Sequence, residues 1–547
     1  MVITDFLERN ARYYPSDEAL VEINPTEERD NAQTWREASL IELALPDMPY
    51  RRSITWRRFE RMANRIGNFL LTRNVKRGTK VGILMMNCVE WLPIYFGILK
   101  AGCVVVPLNF RYASDEIEYC CDLADIEILI FGPEFIERMD AIHNSLAKTS
   151  LKLYVGFADK CPDYAEDLTL LSSYASTEKL PVELHEDDVA AIYFSSGTTG
   201  FPKAILHNHT ALLQAARMEA KHHLTTHDDV FLCIPPLYHT GAKMHWFGSL
   251  YTGSRAVILK GTSPKAILDV VSWEQCTIVW LLVPWAQDIL TALDRGDLKL
   301  QGRNLSQWRL MHIGAQPVPP SLIKHWLDYF PHHKYDTNYG LSESIGPGCV
   351  HLGVENIHKV GAIGVPGWGW KAKIIDENGD PVKQGDAGEL CVKGDGVMVC
   401  YYKNPEATEE VLKDGWLLTG DVAMQDEEGF IFLVDRKKDV IVCGGENLYP
   451  VQIEDFLRAY PKVKDVAVIG LPDQRLGEIA GAIISIKEGE TCTEEEIQEY
   501  CKGMPRYKRP KKIIFADVPR NATGKIEKPK LRRMYGIEQL VAHENGV

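Results

Sequence analysis

The chain has 547 residues, more than one hydrophobic core usually supports, so we expect more than one domain. Its 61 Lys and Arg residues against 75 Asp and Glu residues give a formal charge of −14, which excludes general binding of nucleic acid or anionic membranes. With 45% hydrophobic and 25% charged residues, the composition is that of a globular protein with ample core material. None of the 13 cysteines forms a CxxC pair, which predicts reduced thiols.

The N-terminus carries Asp5 and Glu8 where a signal peptide needs a basic start and an apolar run. The most apolar stretch, residues 92–108, contains Lys100 and falls short of a membrane span. We therefore expect a cytoplasmic protein without an integral membrane segment.

The predicted elements alternate between helices and short apolar strands, which indicates an α/β fold. Residues 22–52 are polar and contain proline, so they predict a surface segment. Residues 56–71 place apolar side chains at helical spacing. Buried strands are predicted at 80–86, 104–108 and 189–194.

The pattern changes near residue 435, where the charged run 435–439 follows a predicted strand at 430–434. Beyond it lie two predicted strands and a helix, at 466–469, 482–486 and 493–502. We predict a large N-terminal domain of several subdomains with mixed sheets and helices, residues 1–435. A small mobile α+β domain, residues 436–547, follows a hinge near Lys438.

A glycine- and hydroxyl-rich loop follows the predicted strand at 189–194. Gly197 and Gly200 free the backbone to turn its N–H groups toward a ligand, and Lys203 adds a positive charge. Hydroxyl groups come from Ser195, Ser196, Thr198 and Thr199. A polyphosphate requires these groups, and the Walker pattern GxxxxGK[ST] is absent. An ordinary surface turn has a similar composition; the order of the residues favours phosphate binding.

This loop resembles the phosphate-loop signature of the adenylate-forming superfamily, which contains acyl-CoA synthetases, peptide-synthetase adenylation domains and beetle luciferases. Further motifs match in the family's order, from about Pro107-Leu108-Asn109 to Lys525, so the resemblance covers nearly the whole chain. It implies a cytoplasmic ligase that uses ATP, Mg²⁺ and coenzyme A and forms an acyl-adenylate.

The resemblance also implies the nucleotide site. Gly314, Ala315 and Gln316 are similar to the adenine-flanking loop, and residues 338–343 resemble the YGxTE motif with a serine in place of threonine. In that motif Asn338, Tyr339, Gly340 and Ser342 contact the adenine and the α-phosphate. Asp421 matches the ribose-binding aspartate, and Arg436 matches the arginine that assists it.

The implied catalytic residues are Lys525, His239 and Glu343. Lys525, in the run Pro519 to Ile526, resembles the lysine that reaches from the small domain to the α-phosphate and offsets the repulsion between two anions. His239, in the run Pro236 to Gly241, resembles a residue beside the acyl carboxylate. Glu343 is the implied Mg²⁺ ligand, together with Thr198.

The acyl pocket is expected from four segments, at 238–247, 280–285, 312–316 and 339–346. Its predicted lining residues are Tyr238, His239, Lys243, Trp246, Gly314 and Gly340. The tryptophans in these segments favour a bulky, apolar pocket for a medium-chain, alicyclic or aromatic acid. One hypothesis pairs Lys243 with a second carboxylate of the substrate.

The resemblance places the thiol channel at Gly444, Gly445 and Glu446. The basic residues Arg506 and Lys508 are predicted to hold the nucleotide end of CoA. We predict an AMP-forming acyl-CoA synthetase, with a homodimer as a further hypothesis. The alternatives are a ligase that loads a carrier protein, a luciferase-like adenylating enzyme, and an inactive paralogue that only binds nucleotide.

Overall fold

The computed structural model describes residues 1–25, 50–156, 158–195, 202–314, 318–346, 348–436, 439–443, 446–473, 475–520 and 526–536. Two large sheets flanked by helices occupy most of the first 340 residues, and smaller sheets follow toward the C-terminus. The predicted α/β fold class, a large part followed by a small α+β part, is confirmed. The helices are Ile3–Tyr13, Trp56–Thr72, Trp91–Lys100, Ser114–Leu123, Ile136–Ile142, Leu168–Ser172, His209–His222, Thr240–Thr252, Pro264–Trp273, Val283–Asp294, Pro320–Tyr329, Pro405–Val411, Pro450–Arg458, Glu494–Tyr500 and Lys528–Tyr535.

The first large sheet confirms the strands predicted at 80–86, 104–108 and 189–194. Its strands lie in the order Cys400–Tyr401, Ala204–Asn208, Val189–Phe194, Val104–Pro107, Lys80–Leu84, Ile126–Phe131, Leu151–Tyr154 and Glu166–Asp167. The six strands from Val189–Phe194 to Glu166–Asp167 run parallel. Because helices cover both faces of such a sheet, the central strands are continuous apolar runs.

The second large sheet has the order Lys334–Asp336, Leu310–Gly314, Ile278–Leu282, Val230–Cys233, Arg255–Leu259, Glu18–Asn24 and Tyr50–Thr55. The surface segment predicted at 22–52 is wrong at residues 22–24, because these belong to the strand Glu18–Asn24 and are buried where it pairs in parallel with Arg255–Leu259. At the other end Arg51 is exposed on the edge strand Tyr50–Thr55, and residues 26–49 lie outside the described residues. In the buried strand, the polar Glu22 accepts a hydrogen bond from the Val89 backbone N–H at 2.8 Å. From its residue type alone Glu22 was predicted to lie at the surface, whereas its hydrogen bond to the backbone allows it to be buried.

Two smaller sheets join the large ones to the C-terminal region. One contains Asn338–Tyr339, Val350–His351 and Val365–Pro366. The other has the order Lys371–Ile375, Gly388–Lys393, Trp416–Gln425 and Leu412–Lys413, with Ile431–Arg436 also paired to Trp416–Gln425.

The C-terminal sheet has its own hydrophobic core. Its strands are Glu446–Leu448, Ile441–Cys443, Gly477–Ile486 and Val463–Asp473, with Lys512–Phe515 paired to Gly477–Ile486. The strands predicted at 466–469 and 482–486 are confirmed and are longer than predicted, and the helix predicted at 493–502 appears as Glu494–Tyr500.

The predicted helix at 56–71 is confirmed as Trp56–Thr72, and its apolar face packs on the helix Trp91–Lys100. Thr55 begins it, since its hydroxyl accepts a hydrogen bond from the Arg58 N–H. The two helices touch so closely that a Cβ at Gly97 would lie 2.7 Å from Ile66 Cβ and 2.8 Å from the Ala63 carbonyl oxygen. Gly97 is therefore required by packing.

Among the described residues, no helix is long and apolar enough to cross a membrane. The cysteines are free thiols and are mostly buried.

The predicted site motifs follow the carboxyl ends of strands. The hydroxyl-rich loop follows Val189–Phe194, His239 follows Val230–Cys233, and Gly314 ends Leu310–Gly314. Ligands of open α/β sheets bind where the carboxyl ends of strands meet. The topology therefore gathers motifs that are far apart in the sequence.

Candidate active site

The hydroxyl-rich loop is closed at its base by a hydrogen bond from the Ser195 N–H to the Lys203 carbonyl oxygen, at 3.1 Å. The strands that flank it, Val189–Phe194 and Ala204–Asn208, pair in antiparallel register. Ser195 and Lys203 therefore lie opposite each other at the end of an antiparallel strand pair, at the edge of the parallel strands. Ser196, Gly197, Thr198, Thr199 and Gly200 lie outside the described residues.

Glu343 and Lys203 meet at the ring of Tyr401. The Tyr401 hydroxyl donates to Glu343 Oε1 at 2.8 Å, and Lys203 Nζ lies 4.6 Å from the centre of the same ring. Burial and the Glu343 charge raise the pKa of Tyr401, so its hydroxyl keeps its proton as the donor. The predicted magnesium ligand and the predicted phosphate lysine therefore share one side-chain support, which the sequence analysis missed.

Replacing Tyr401 with phenylalanine is expected to lower kcat/KM for ATP in the adenylation half-reaction by about tenfold. A hydrogen bond to a charged group contributes about 1.5–3 kcal/mol, and its loss leaves Glu343 less firmly placed. Pyrophosphate release measures the effect. Tyr402→Phe is the control, because the Tyr402 hydroxyl donates to Asp125 at 2.9 Å, an aspartate that no motif assigns to the site. Equal kcat/KM for Tyr401→Phe and wild type would show that Tyr401 does not contribute to adenylation.

Tyr339, Asp421 and Arg436 form a chain of contacts. The Tyr339 hydroxyl donates to Asp421 Oδ2 at 2.6 Å, and Arg436 Nε lies 3.6 Å from Asp421 Oδ1. Strand pairing fixes the second contact, because Asp421 and Arg436 are register partners on Trp416–Gln425 and Ile431–Arg436. The predicted ribose-binding aspartate is thus held between two other predicted nucleotide residues.

Gly340 and Ser342 are placed by backbone contacts. A Cβ at Gly340 would lie 2.8 Å from the backbone of Gly348, so close chain packing alone requires this glycine. The Ser342 carbonyl oxygen is 2.8 Å from His207 Nε2. Burial lowers the pKa of His207 to about 4, so the neutral ring donates this bond.

His239 begins the helix Thr240–Thr252, and its Nδ1 accepts a hydrogen bond from the Gly241 N–H at 3.2 Å. A Cβ at Gly241 would touch both Nδ1 of His239 (3.2 Å) and the Trp280 ring (2.9 Å). His239 and Trp280 therefore lie side by side at one end of this helix. Here three of the four predicted acyl-pocket segments meet, since Trp280 also pairs with His312 across adjacent strands.

Three predicted acyl-pocket residues lie elsewhere. Lys243 and Trp246 are fully buried on another face of the helix, where Lys243 Nζ is 4.2 Å from the ring centre of Tyr193 and Trp246 packs on Phe96. Tyr238 packs edge-on against Phe110, at 5.2 Å between ring centres. The structure does not bring these three side chains to Trp280, so their acyl-pocket roles stay predictions.

A buried polar network adjoins Trp280. His223 Nε2 lies 3.0 Å from Asp336 Oδ2 and 3.1 Å from His312 Nδ1, while His223 Nδ1 lies 3.1 Å from Glu219 Oε2. Burial lowers the pKa of His223, but the carboxylates of Glu219 and Asp336 outweigh burial and raise it to about 10. His223 is therefore a buried imidazolium between two carboxylates.

Asn338 and His245 connect this network to the site. Asn338 Nδ2 is 3.4 Å from both Glu219 Oε1 and His245 Nε2, and the His245 ring stacks on Trp280 with centres 4.4 Å apart. The sequence analysis singled out Trp280 and His312 only as parts of segments, and it missed Glu219, His223 and Asp336. Their sequence signal is weak: a Glu–His pair one helical turn apart and an unusual density of histidines.

The C-terminal predictions are only partly described. Lys525, Lys438, Gly444 and Gly445, like Ala315 and Gln316, lie outside the described residues, and for Glu446 only the backbone is described. Arg506 is exposed, and Lys508 donates to Gln452 Oε1 at 2.7 Å. The predicted hinge region begins with a contact between the two parts of the chain, since Asp435 Oδ2 accepts from the Val451 N–H at 3.0 Å.

Comparisons with known proteins identify the family of the chain. Residues 7–402 match the family model described as AMP-binding enzyme, and residues 452–525 match the one described as AMP-binding enzyme C-terminal domain. A feruloyl-CoA synthase of an Amycolatopsis species is 33% identical over 88% of this chain and 94% of its own length. The long-chain-fatty-acid–CoA ligase FadD13 of Mycobacterium tuberculosis is 30% identical over 88% of this chain and 93% of its own.

Among solved structures, the anthranilate CoA ligase AuaEII in complex with anthranoyl-AMP superposes with a TM-score of 0.86 and 25% identity, over 99% of this chain and 98% of that one. The family models together match most of the chain in the order of the motifs. The chain belongs to the AMP-binding enzyme family, the adenylate-forming superfamily that its motifs resemble, and is an ATP-dependent acid–thiol ligase.

Proposed function

We propose that this protein is an AMP-forming acyl-CoA synthetase that converts a carboxylic acid, ATP and CoA into acyl-CoA, AMP and pyrophosphate. One observation carries the proposal: the short segment 338–343 contacts three different groups. Tyr339 contacts the predicted ribose aspartate, Glu343 shares Tyr401 with the predicted phosphate lysine, and Asn338 contacts the buried network beside Trp280. Sugar, phosphate and acyl groups would thus lie along one strand and turn.

In the first step the acid carboxylate attacks the α-phosphate of ATP and pyrophosphate leaves. Both reactants are anions, so positive charge from Lys203 and Lys525 would offset their repulsion. Mg²⁺, when bound, neutralises charge on the phosphates. Glu343 fits it as a ligand, because it is a partly exposed carboxylate that contacts the same tyrosine as Lys203, and Mg²⁺ usually takes one or two carboxylates.

In the second step the CoA thiol attacks the carbonyl carbon of the acyl-adenylate and AMP leaves. We assign the thiol channel to Gly444, Gly445 and Glu446, and the nucleotide end of CoA to Arg506 and Lys508. The small domain turns about Lys438 between the steps. Relatives that are named as CoA ligases support CoA as the acceptor.

The proposed substrate is a medium-chain, alicyclic or aromatic acid. Relatives include enzymes named for feruloyl, anthranilate and long-chain fatty acids, which supports both ring and chain substrates. We also propose that the protein is cytoplasmic and forms a homodimer. Light scattering, which measures the molar mass in solution, tests the dimer.

The deciding experiment mixes protein, ATP, Mg²⁺ and a panel of acids, with and without CoA, and measures AMP release. CoA-dependent AMP release with acyl-CoA as the product supports the proposal. Light emission, or turnover only with a carrier protein, would support the luciferase-like or carrier-loading alternative. Nucleotide binding without turnover on any acid would indicate the inactive paralogue.

Lys525→Ala is expected to lower the adenylation rate by at least about 10²–10³-fold, the effect of removing one group that stabilises transition-state charge. ATP affinity, measured by calorimetry, should change far less. Lys530→Ala, an exposed lysine of the following helix, is the matched control. Equal adenylation rates in Lys525→Ala and wild type would refute the assigned role.

A further inference from the structure

Polar atoms are the nearest neighbours of the position that a side chain at Gly314 would occupy. A Cβ added to this glycine would stand 3.8 Å from Trp280 Nε1, 3.9 Å from His312 Nε2 and 4.0 Å from Asn338 Oδ1. Gly314 ends its strand at the place where the predicted acyl-pocket segments meet. The sequence predicted an apolar pocket here, whereas the structure lines this part of it with nitrogen and oxygen.

Two of these atoms are buried without a partner. Within the described part of the chain, neither Trp280 Nε1 nor His312 Nε2 has a hydrogen-bond partner. The two residues are 3% and 0% exposed. Nearly all buried polar atoms in native proteins are hydrogen-bonded, so two unpartnered ones beside the same glycine point to a ligand group that approaches the Gly314 backbone.

Both atoms are hydrogen-bond donors. An indole nitrogen can only donate. His223, charged between Glu219 and Asp336, carries one proton on Nε2, which is shared between Asp336 Oδ2 at 3.0 Å and His312 Nδ1 at 3.1 Å. A second proton on His312 Nδ1 would face this N–H, so Nδ1 is assigned as an acceptor. Burial lowers the pKa of His312 to about 4, which makes the ring neutral with its single proton on Nε2.

We propose that the acyl group of the substrate carries an oxygen, as a hydroxyl, ether or carbonyl, that accepts hydrogen bonds from Trp280 and His312. This proposal rests on the proposed synthetase activity and narrows its substrate class. Two donors side by side require an acceptor, which a plain alkyl chain or an unsubstituted ring lacks.

The charges nearby favour a neutral oxygen over a second carboxylate. Glu219 and Asp336 are negative and His223 is positive, so the three groups sum to −1 and repel an additional anion. Lys243, the cation that the sequence analysis assigned to a second carboxylate, lies instead among Trp91, Tyr95 and Tyr193. The substrate class is therefore an oxygen-bearing monocarboxylic acid.

The test compares matched acids by kcat/KM for AMP release in the presence of CoA. The pairs are hydroxy- or methoxy-substituted benzoates and cinnamates against methyl- or ethyl-substituted ones, and hydroxy- or oxo-substituted medium-chain acids against unsubstituted ones. The best oxygen-bearing acid is expected to exceed its apolar counterpart by about 100-fold or more, because the counterpart leaves two buried donors unpaired. Equal rates within every pair, or a preference for dicarboxylates, would overturn the proposal.

Two substitutions test whether Trp280 and His312 donate the proposed hydrogen bonds. Trp280→Phe keeps an aromatic ring without the N–H, and His312→Leu removes the other donor. Each is expected to reduce the ratio of kcat/KM between the oxygen-bearing and the apolar acid of the best pair by about tenfold, whatever its effect on the absolute rates. Trp326→Phe, a tryptophan buried in another cluster, is the control and should keep the full preference.

Thermal unfolding shows whether each variant is folded. An unchanged preference in a folded Trp280→Phe variant would contradict the proposal. If one variant does not fold, the proposal is still tested by the other variant and by the wild-type comparison of the matched acids. If none of the acids gives CoA-dependent AMP release, the proposed function itself fails, so the two failures are distinguishable.

Discussion

Replacing Lys243 with methionine is expected to raise the free energy of unfolding at pH 7 by about 2–4 kcal/mol, because a buried amine gives way to an apolar side chain of similar size. Lys243 is 0% exposed, and Nζ has only the Leu237 carbonyl oxygen, at 3.5 Å, as a hydrogen-bond acceptor among the described residues. Burial holds the pKa of Lys243 well below its ordinary value of 10.5. The folded environment therefore favours the neutral amine over the charged ammonium group.

The effect should depend on pH in a defined direction. Between the lowered pKa of folded Lys243 and 10.5, the unfolded chain binds one more proton, so wild-type stability rises with pH. The rise is about 1.4 kcal/mol per pH unit at most. The other titratable groups around Nζ are Tyr95 and Tyr193, whose pKa burial raises, and His207, whose pKa burial lowers to about 4; none titrates between pH 7 and 10. The advantage of methionine should shrink accordingly as pH rises toward 10.

Urea unfolding of both proteins at pH 7, 8, 9 and 10 measures this difference. Lys221→Met is the control, because Lys221 Nζ lies 4.8 Å from the ring centre of Trp368, which is exposed. An exposed contact of this kind contributes about 0.5–1 kcal/mol and should not depend on pH in this range. Lower stability of Lys243→Met at pH 7 would mean that the surrounding rings hold a charged ammonium group. A selective loss of activity on dicarboxylates would revive the second-carboxylate hypothesis.

Asp336→Asn is expected to destabilise the protein by about 3–5 kcal/mol at pH 6, since it leaves a buried imidazolium with one carboxylate fewer. Asp336 Oδ2 faces the rings of His223, His312 and His351 at 3.0, 3.6 and 3.7 Å. Its Oδ1 accepts a hydrogen bond from the Gly353 N–H at 2.8 Å. One carboxylate thus holds together three strands and a helix.

The pH window follows from the two shifted groups. The pKa of His223 is raised to about 10, so its contribution is complete below about pH 6.5 and is lost as pH rises through 10. The pKa of Asp336 is lowered, so its contribution is present above about pH 4 and is lost in stronger acid. The other groups facing His223 are Glu219, with a lowered pKa, and His245 and His312, which burial keeps neutral. The difference between wild type and Asp336→Asn should be largest from about pH 4 to 6.5 and smaller at pH 10.

Asp294→Asn is a matched control, because His325 Nε2 lies 3.1 Å from Asp294 Oδ1 in a similar but exposed pair. Exposed pairs contribute about 0–1 kcal/mol. Unfolding monitored by fluorescence at pH 5, 7 and 9 measures both variants. If both variants lose a similar, small amount of unfolding free energy, the buried network contributes little to the stability of the protein.

The sequence by itself determined the family, the α/β fold class and the strand that precedes the hydroxyl-rich loop. Continuous apolar runs such as Val104–Pro107 and the helical spacing of Trp56–Thr72 are local signals, and local structure follows them. The predicted roles of Asp421 and Glu343 rest on the order of the motifs along the chain. Predicting them required no knowledge of which residues surround them in space.

Only the tertiary structure decided the contacts between segments distant in the chain. Tyr401 reaches Glu343 across 58 residues, and His223 reaches Asp336 across 113, through strand and helix packing that no local pattern encodes. The same packing put Lys243 among aromatic rings and placed polar atoms around Gly314. The polarity of an acyl pocket depends on which faces of its helices and strands turn inward, and that depends on the core behind them.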